Sequence, residues 1–169
     1  IVDPGRHHVE ILGLGGTVAT PSGGLEAEVL PVRSFDDLRA RQSEVRGRIV
    51  LFDVPYTTYS ETVTYRTGGA RTAAQYGAVA VLVRAVGPIG LRTTHTGSVT
   101  YTAGQPAIPA AAIAAEDANR IVRLSTRGRR VRLRLVTSGR NEPDAESANV
   151  LGEIRGREEP PRVVLPRRA

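Results

Sequence analysis

The 169-residue chain contains no Cys, Met or Trp, and its aromatic content is 4%, from five Tyr and two Phe. Without cysteine there can be no disulfide and no thiolate metal site. With so few rings, and none after Tyr101, a platform for stacking nucleic-acid bases is hard to assemble. The core must rest on Val, Ile, Leu and Ala. Lysine is missing as well: all 23 basic residues are Arg. No apolar run approaches the roughly 20 residues that a membrane-spanning helix needs. No charged-then-apolar segment opens the chain, so an export signal, where there is one, is expected to lie upstream or to have been removed.

What is present describes an ordinary globular domain. Apolar residues make up 40% of the chain, and its length suits one domain with a real core. The formal charge is +6, from 23 basic and 17 acidic residues. Such a balance admits an anionic partner, although a sequence that uses Arg wherever a cation is needed would show the same excess.

Short apolar runs separated by helical stretches set the expected order of elements. Residues 9–13 read as a strand followed by a glycine-rich loop to Gly24. Residues 26–32 read as an extended segment whose Pro31 argues for an edge or a strand end. Ser34 stands at a helix N-cap with Asp37 three residues on, a variant capping box that predicts a short helix to about Gln42. Residues 48–53 form a near-continuous β-branched and apolar run, hence a buried strand. A helix is predicted over 65–76, with Gly77 at its C′ position, and a second apolar run covers 78–86. Strand, helix and strand at this spacing predict a right-handed βαβ crossover. Residues 87–107, rich in Gly, Pro and Thr, read as a long loop of the kind that usually has a function. Further expectations are a strand at 108–113, an amphipathic helix at 116–126 closed by Gly128, an alternating strand at 131–135, and strands at 149–154 and 163–165.

Motifs with chemical potential are few. Gly13-Leu14-Gly15-Gly16 follows a strand, but a phosphate loop needs a helix N-terminus next, and Pro21, Gly23 and Gly24 oppose one. The three His residues do not converge: His7 and His8 diverge along an extended chain, and His95 has no carboxylate within twenty residues. No nucleophile elbow is present. The pairs Asp36-Asp37 and Glu116-Asp117 open predicted helices, where negative charge suits the dipole, and Glu158-Glu159 lies in a turn. Arg127, Arg129, Arg130, Arg132 and Arg134 form a basic stripe that reads as a solvated strand face. In the long loop, Arg92, His95 and Tyr101 are the candidate recognition residues, offering charge and hydrogen bonds to a peptide carboxylate. No catalytic and no metal-ligating residue is assigned.

Several of these segments resemble one family, in its order. Gly47-Arg48-Ile49-Val50-Leu51-Phe52, the run Tyr59 to Ala70, Gly77-Ala78-Val79-Ala80, residues 82–86, Thr94-His95-Thr96-Gly97, Ile108-Pro109-Ala110-Ala111 and Glu116-Asp117-Ala118 together resemble the protease-associated (PA) domain of carboxypeptidase Q-like zinc metallopeptidases. The likeness runs from about His8 to Leu165. It implies an α+β fold: a mixed sheet or open barrel flanked by two main helices. It also implies a PA domain over 1–146, with its N-terminal strand, and the start of a peptidase core over 147–169 that stops before the zinc ligands. Members of the family bind two zinc ions, through residues this chain does not possess. The implied role is a non-catalytic domain of a secreted, or otherwise extracytoplasmic, aminopeptidase or carboxypeptidase. Its implied partners are the catalytic domain and a peptide substrate, with neither nucleic acid nor a membrane span. Two other readings stay open: an Arg-rich binder of nucleic acid or anionic surfaces, and a small hydrolase in its own right.

Overall fold

The computed structural model describes residues 1–150 and Arg157. Six strands form one curled sheet in the order β1-β5-β4-β3-β2-β6, where β1 is Ile11–Gly13, β2 Leu25–Val32, β3 Ile49–Phe52, β4 Ala80–Arg84, β5 Ala110–Ile113 and β6 Arg132–Leu135. The four central strands run parallel, and the outer two, β1 and β6, pair antiparallel. The result is the expected α+β half-barrel. Across the β3–β4 register Ile49 faces Ala80 and Phe52 faces Val83, which places the crossover where the apolar runs predicted it.

Parallel strands covered on both faces should be apolar at every position, and β3 (Ile-Val-Leu-Phe) is buried throughout. Its residues divide between two layers. Val50 and Phe52, with Val81, Val83, Ala110 and Ala112, pack under helices α1 (Phe35–Ala40) and α2 (Tyr59–Gln75). Ile49 and Leu51, with Leu82, Ala111 and Ile113, pack under α3 (Ala115–Thr126). Each such aliphatic side chain, fully buried, contributes about 1.5–3 kcal/mol. The scarce aromatics are concentrated at one spot: Phe35 stacks on Tyr65 at 4.7 Å, and Phe52 meets Phe35 at 5.4 Å.

The helix signals acted locally. The Ser34 side chain accepts from the Asp37 amide at 3.0 Å, and the Asp37 carboxylate accepts from the Arg33 amide at 2.8 Å. Gly77 and Gly128 each follow a helix C-cap with positive φ. Helix α2 starts six residues before the predicted Tyr65. Thr62, Val63 and Thr64 are weak helix formers. Here Thr62 is buried and its hydroxyl is satisfied by donating to the Thr58 carbonyl at 2.8 Å, so a polar side chain can face the core in the first turn, which propensity does not reveal.

Strand β2 changes partner along its length. Leu25 to Glu28 pair with β6, and Val29 to Val32 pair with β3. Pro31 thus lies in the half that has β3 on one side only, matching the expectation of a strand end, and its carbonyl accepts from the Arg41 guanidinium at 2.8 Å. Residues Val2 and Asp3 bond to the outer edge of β6 through Arg132. Of the strand expected over 149–154, Asn149 and Val150 carry no regular structure and the rest lies outside the described residues, as does the strand expected over 163–165.

Candidate functional site

The segment between β4 and β5 is the long loop the sequence predicted, and two pins hold it to the scaffold. The first comes from α2. Arg66 is 5% exposed and forms no ion pair among the described residues. It stands two helical turns after Tyr59, so the two share a face. Its Nη2 donates to the Tyr59 hydroxyl at 2.7 Å, and its Nη1 donates to the Thr96 carbonyl at 2.8 Å and lies 3.1 Å from His95 Nδ1. The Tyr59 ring lies 5.5 Å from the guanidinium carbon. Nε is buried without a partner, pressed against Gly97, where an added Cβ would come within 2.2 Å of it. Only glycine fits there, and its φ is +156°.

Backbone bonds complete this pin. Gly15 donates to the Gly97 carbonyl at 2.8 Å, Val99 donates back to Gly15 at 2.9 Å, and Thr100 donates to Thr67 at 2.9 Å. The Gly13–Gly16 run therefore brackets the loop, and the next helix after it begins only at Phe35. His95 Nδ1 is also 2.8 Å from the Thr96 carbonyl, so it either donates there or accepts from Arg66, one at a time.

The second pin is Arg92. Its Nε and Nη2 donate to the two Asp117 oxygens at 3.1 and 3.0 Å, and Nη2 also donates to the His8 carbonyl at 2.6 Å. Asp117 is 3% exposed. Its carboxylate further accepts from the Glu10 amide at 3.3 Å and lies 3.2 Å from His7 Nε2. Burial pushes the Asp117 carboxyl up, but the Arg92 and His7 hydrogen bonds, the Arg92 charge and the Glu10 amide outweigh it and hold the group below its usual range. The loop, the N-terminal segment and the start of α3 thus meet on one buried carboxylate. Leu91 and Arg92 both have positive φ, 56° and 49°. That conformation costs a non-glycine residue roughly 1–2 kcal/mol, and the Arg92 pin opposes the cost.

The structure thus places the three candidate residues in one loop and bonds each side chain to the protein's own groups. Arg92 holds Asp117, His95 Nδ1 bonds to either Thr96 or Arg66, and the Tyr101 hydroxyl donates to the Ile108 carbonyl at 2.5 Å. Burial raises the Tyr101 hydroxyl above its ordinary value. Glu116-Asp117 does open a helix, as read, yet Asp117 serves as an ion-pair hub beyond any effect on the dipole. Of the residues that organise the site, the sequence offered Asp117 only as part of a helix start, and Arg66 and Gly97 only as members of longer motifs. An Arg at helical spacing among Thr, Gly and Ala was the available clue to Arg66. Of the basic stripe, Arg132 pairs with Glu26 at 3.2 Å and Arg134 donates to the Gly23 carbonyl at 3.1 Å.

A curled mixed sheet with helices on both faces and a long anchored loop defines a small α+β accessory-domain architecture. A family model described as the PA domain matches residues 16–121, and the chain belongs to that family. Over 98% of its length it is 45% identical to Carboxypeptidase Q of Pongo abelii and 44% identical to that of Homo sapiens, spanning 35% of each. Among solved structures it is similar to a Peptidase M28 precursor from Shewanella amazonensis, with TM-score 0.76 and 32% identity over 82% of this chain and 33% of that one. A zinc aminopeptidase from Bacillus subtilis shares the fold, with TM-score 0.51 and 21% identity over 76% and 27% of the two chains. Among the described residues no three His, Asp or Glu side chains gather as a metal site. The described part of this chain therefore does not fit the two zinc ions that the resemblance implies for the parent enzymes.

Proposed function

We propose that this chain is the non-catalytic accessory domain of an extracytoplasmic zinc peptidase, lying beside a catalytic domain and shaping peptide access to it. The two zinc ions belong to that catalytic domain, and residues 147–169 are where the polypeptide returns to the peptidase fold. The observation that carries the reading is the long loop pinned at Arg92 and Thr96 on a PA scaffold, joined to 42–45% identity with Carboxypeptidase Q sequences over nearly the whole chain. Loops held by a rigid scaffold are where recognition residues collect. Arg66 and the Asp117–Arg92 pair tie the loop to the scaffold, and such preorganisation lowers the ordering cost of binding.

The test is kinetic. The domain is placed in an intact homologous peptidase, and Arg92→Ala and His95→Ala are made there. A rise in KM of at least severalfold, with metal content unchanged, is the expected result. Unchanged kcat/KM for both variants would refute the role in substrate access.

A further inference from the structure

We propose that the tip of the β4–β5 loop forms a binding pocket for one bulky apolar side chain of a peptide. The proposal rests on the reading of this loop as facing the substrate and gives that substrate a chemical character.

The pocket is a depression of about 410 Å³ whose walls include Ala85, Gly87, Ile89, Leu91, Thr94 and His95. This volume falls within the ~300–1,000 Å³ typical of ligand sites. In a chain whose residues are 24% charged, no Asp, Glu or Arg lines it. Its rim is apolar and uncovered: Ile89 is 60% exposed and Leu91 95%. Leu91 is an exposed leucine in a left-handed backbone conformation, next to Arg92, whose guanidinium is held by the buried Asp117 carboxylate. His95 is the single ionisable group in the wall. Thr96 and Arg66 occupy its Nδ1, so Nε2 remains to hydrogen-bond a peptide group.

The same geometry selects against an acidic side chain. The neighbouring guanidinium groups are already engaged, Arg92 by Asp117 and Arg66 by Thr96 and Tyr59. A carboxylate entering the depression would lose its hydration and find no guanidinium in the wall. An aliphatic or aromatic side chain would bury itself and cover the Leu91 lip at once. Both pins follow the tip in the chain, at Arg92 and at Thr96, and they tie the His95 side of the pocket to the scaffold.

The experiment uses the full chain, labelled with ¹⁵N and titrated with the blocked peptides acetyl-Gly-X-Gly-amide, where X is Leu, Phe, Gly or Asp. The expected result is saturable shifts at residues 85–95 for Leu and Phe, with at least tenfold weaker binding for Gly and Asp. Leu91→Asp and Ile89→Asp change exposed side chains, and Asp tolerates the left-handed region, so both variants should keep a folded spectrum and lose at least tenfold in affinity. Equal binding of all four peptides, shifts centred elsewhere, or no shifts would overturn the proposal. Failure here leaves the accessory role standing if Arg92→Ala and His95→Ala still raise KM in the intact peptidase. Binding here with unchanged kinetics there would sink the accessory role and leave the pocket.

Discussion

Replacing Gly97 with alanine perturbs the first pin at its tightest point. The new Cβ would lie 2.2 Å from Arg66 Nε and 2.3 Å from Cζ, so the guanidinium must leave. Two well-formed bonds go with it, to the Thr96 carbonyl and the Tyr59 hydroxyl. Hydrogen bonds to a charged group contribute about 1.5–3 kcal/mol each. The left-handed φ adds roughly 1–2 kcal/mol for a residue with a side chain. The expected loss is therefore about 4–8 kcal/mol, a large share of the ~5–15 kcal/mol a domain possesses. With an m-value of about 2 kcal/mol/M, the urea midpoint should fall by about 2–4 M. The decisive measurement repeats Gly97→Ala in an Arg66→Met background, where the flexible thioether can yield. There the cost should shrink to the backbone part, about 1–2 kcal/mol. An equal cost in both backgrounds would refute the reasoning, and so would a loss below about 1 kcal/mol in the original chain.

Two adjacent glycines of α2 should respond with opposite signs. Gly68→Ala meets nothing closer than 3.6 Å and should stabilise by about 0.5–1 kcal/mol, whereas the Cβ of Gly69→Ala would lie 2.8 Å from the buried Phe52 ring and should destabilise by about 1–3 kcal/mol in the same urea series. The Asp117 carboxyl is held below its ordinary 3.8, so its contribution is complete above that pH and is lost as the pH falls through the lower folded value. Asp117→Asn should remove that acid-side decline and lower stability at pH 7, measured as the difference between the two pH–stability curves. Arg84→Met leaves Asp53, 13% exposed at its side chain, without the guanidinium 2.8 Å away, and should cost about 2–4 kcal/mol by thermal or urea unfolding.

The contrast between Ser34 and Asp117 explains what could be read beforehand. Ser34, Gly77 and Gly128 act on backbone groups within a few residues, so their types alone announce the ends of helices. The β-branched run of β3 likewise carries its burial in its composition. Asp117 instead bonds to Arg92 and to His7, 25 and 110 positions away, and nothing in Glu116-Asp117 distinguishes a hub from a helix start. Arg66 was hidden for a related reason. Its partners are a tyrosine in its own helix and a carbonyl 30 residues on, and arginine is normally a surface residue. The loop itself was legible as a loop; the partners of its side chains were not, because only the assembled topology brings α2 and α3 against it.

The change of partner within β2 has a consequence for how the molecule comes apart. Strand β6 is joined to the sheet through the first half of β2, and Val2 and Asp3 hang on the far side of β6. An opening at that seam would release the amino-terminal residues together with the sixth strand, while the four parallel strands kept their ladder. Hydrogen exchange should then show Val2, Arg132 and their neighbours losing protection as one group, at a lower free energy than Val50 or Leu82.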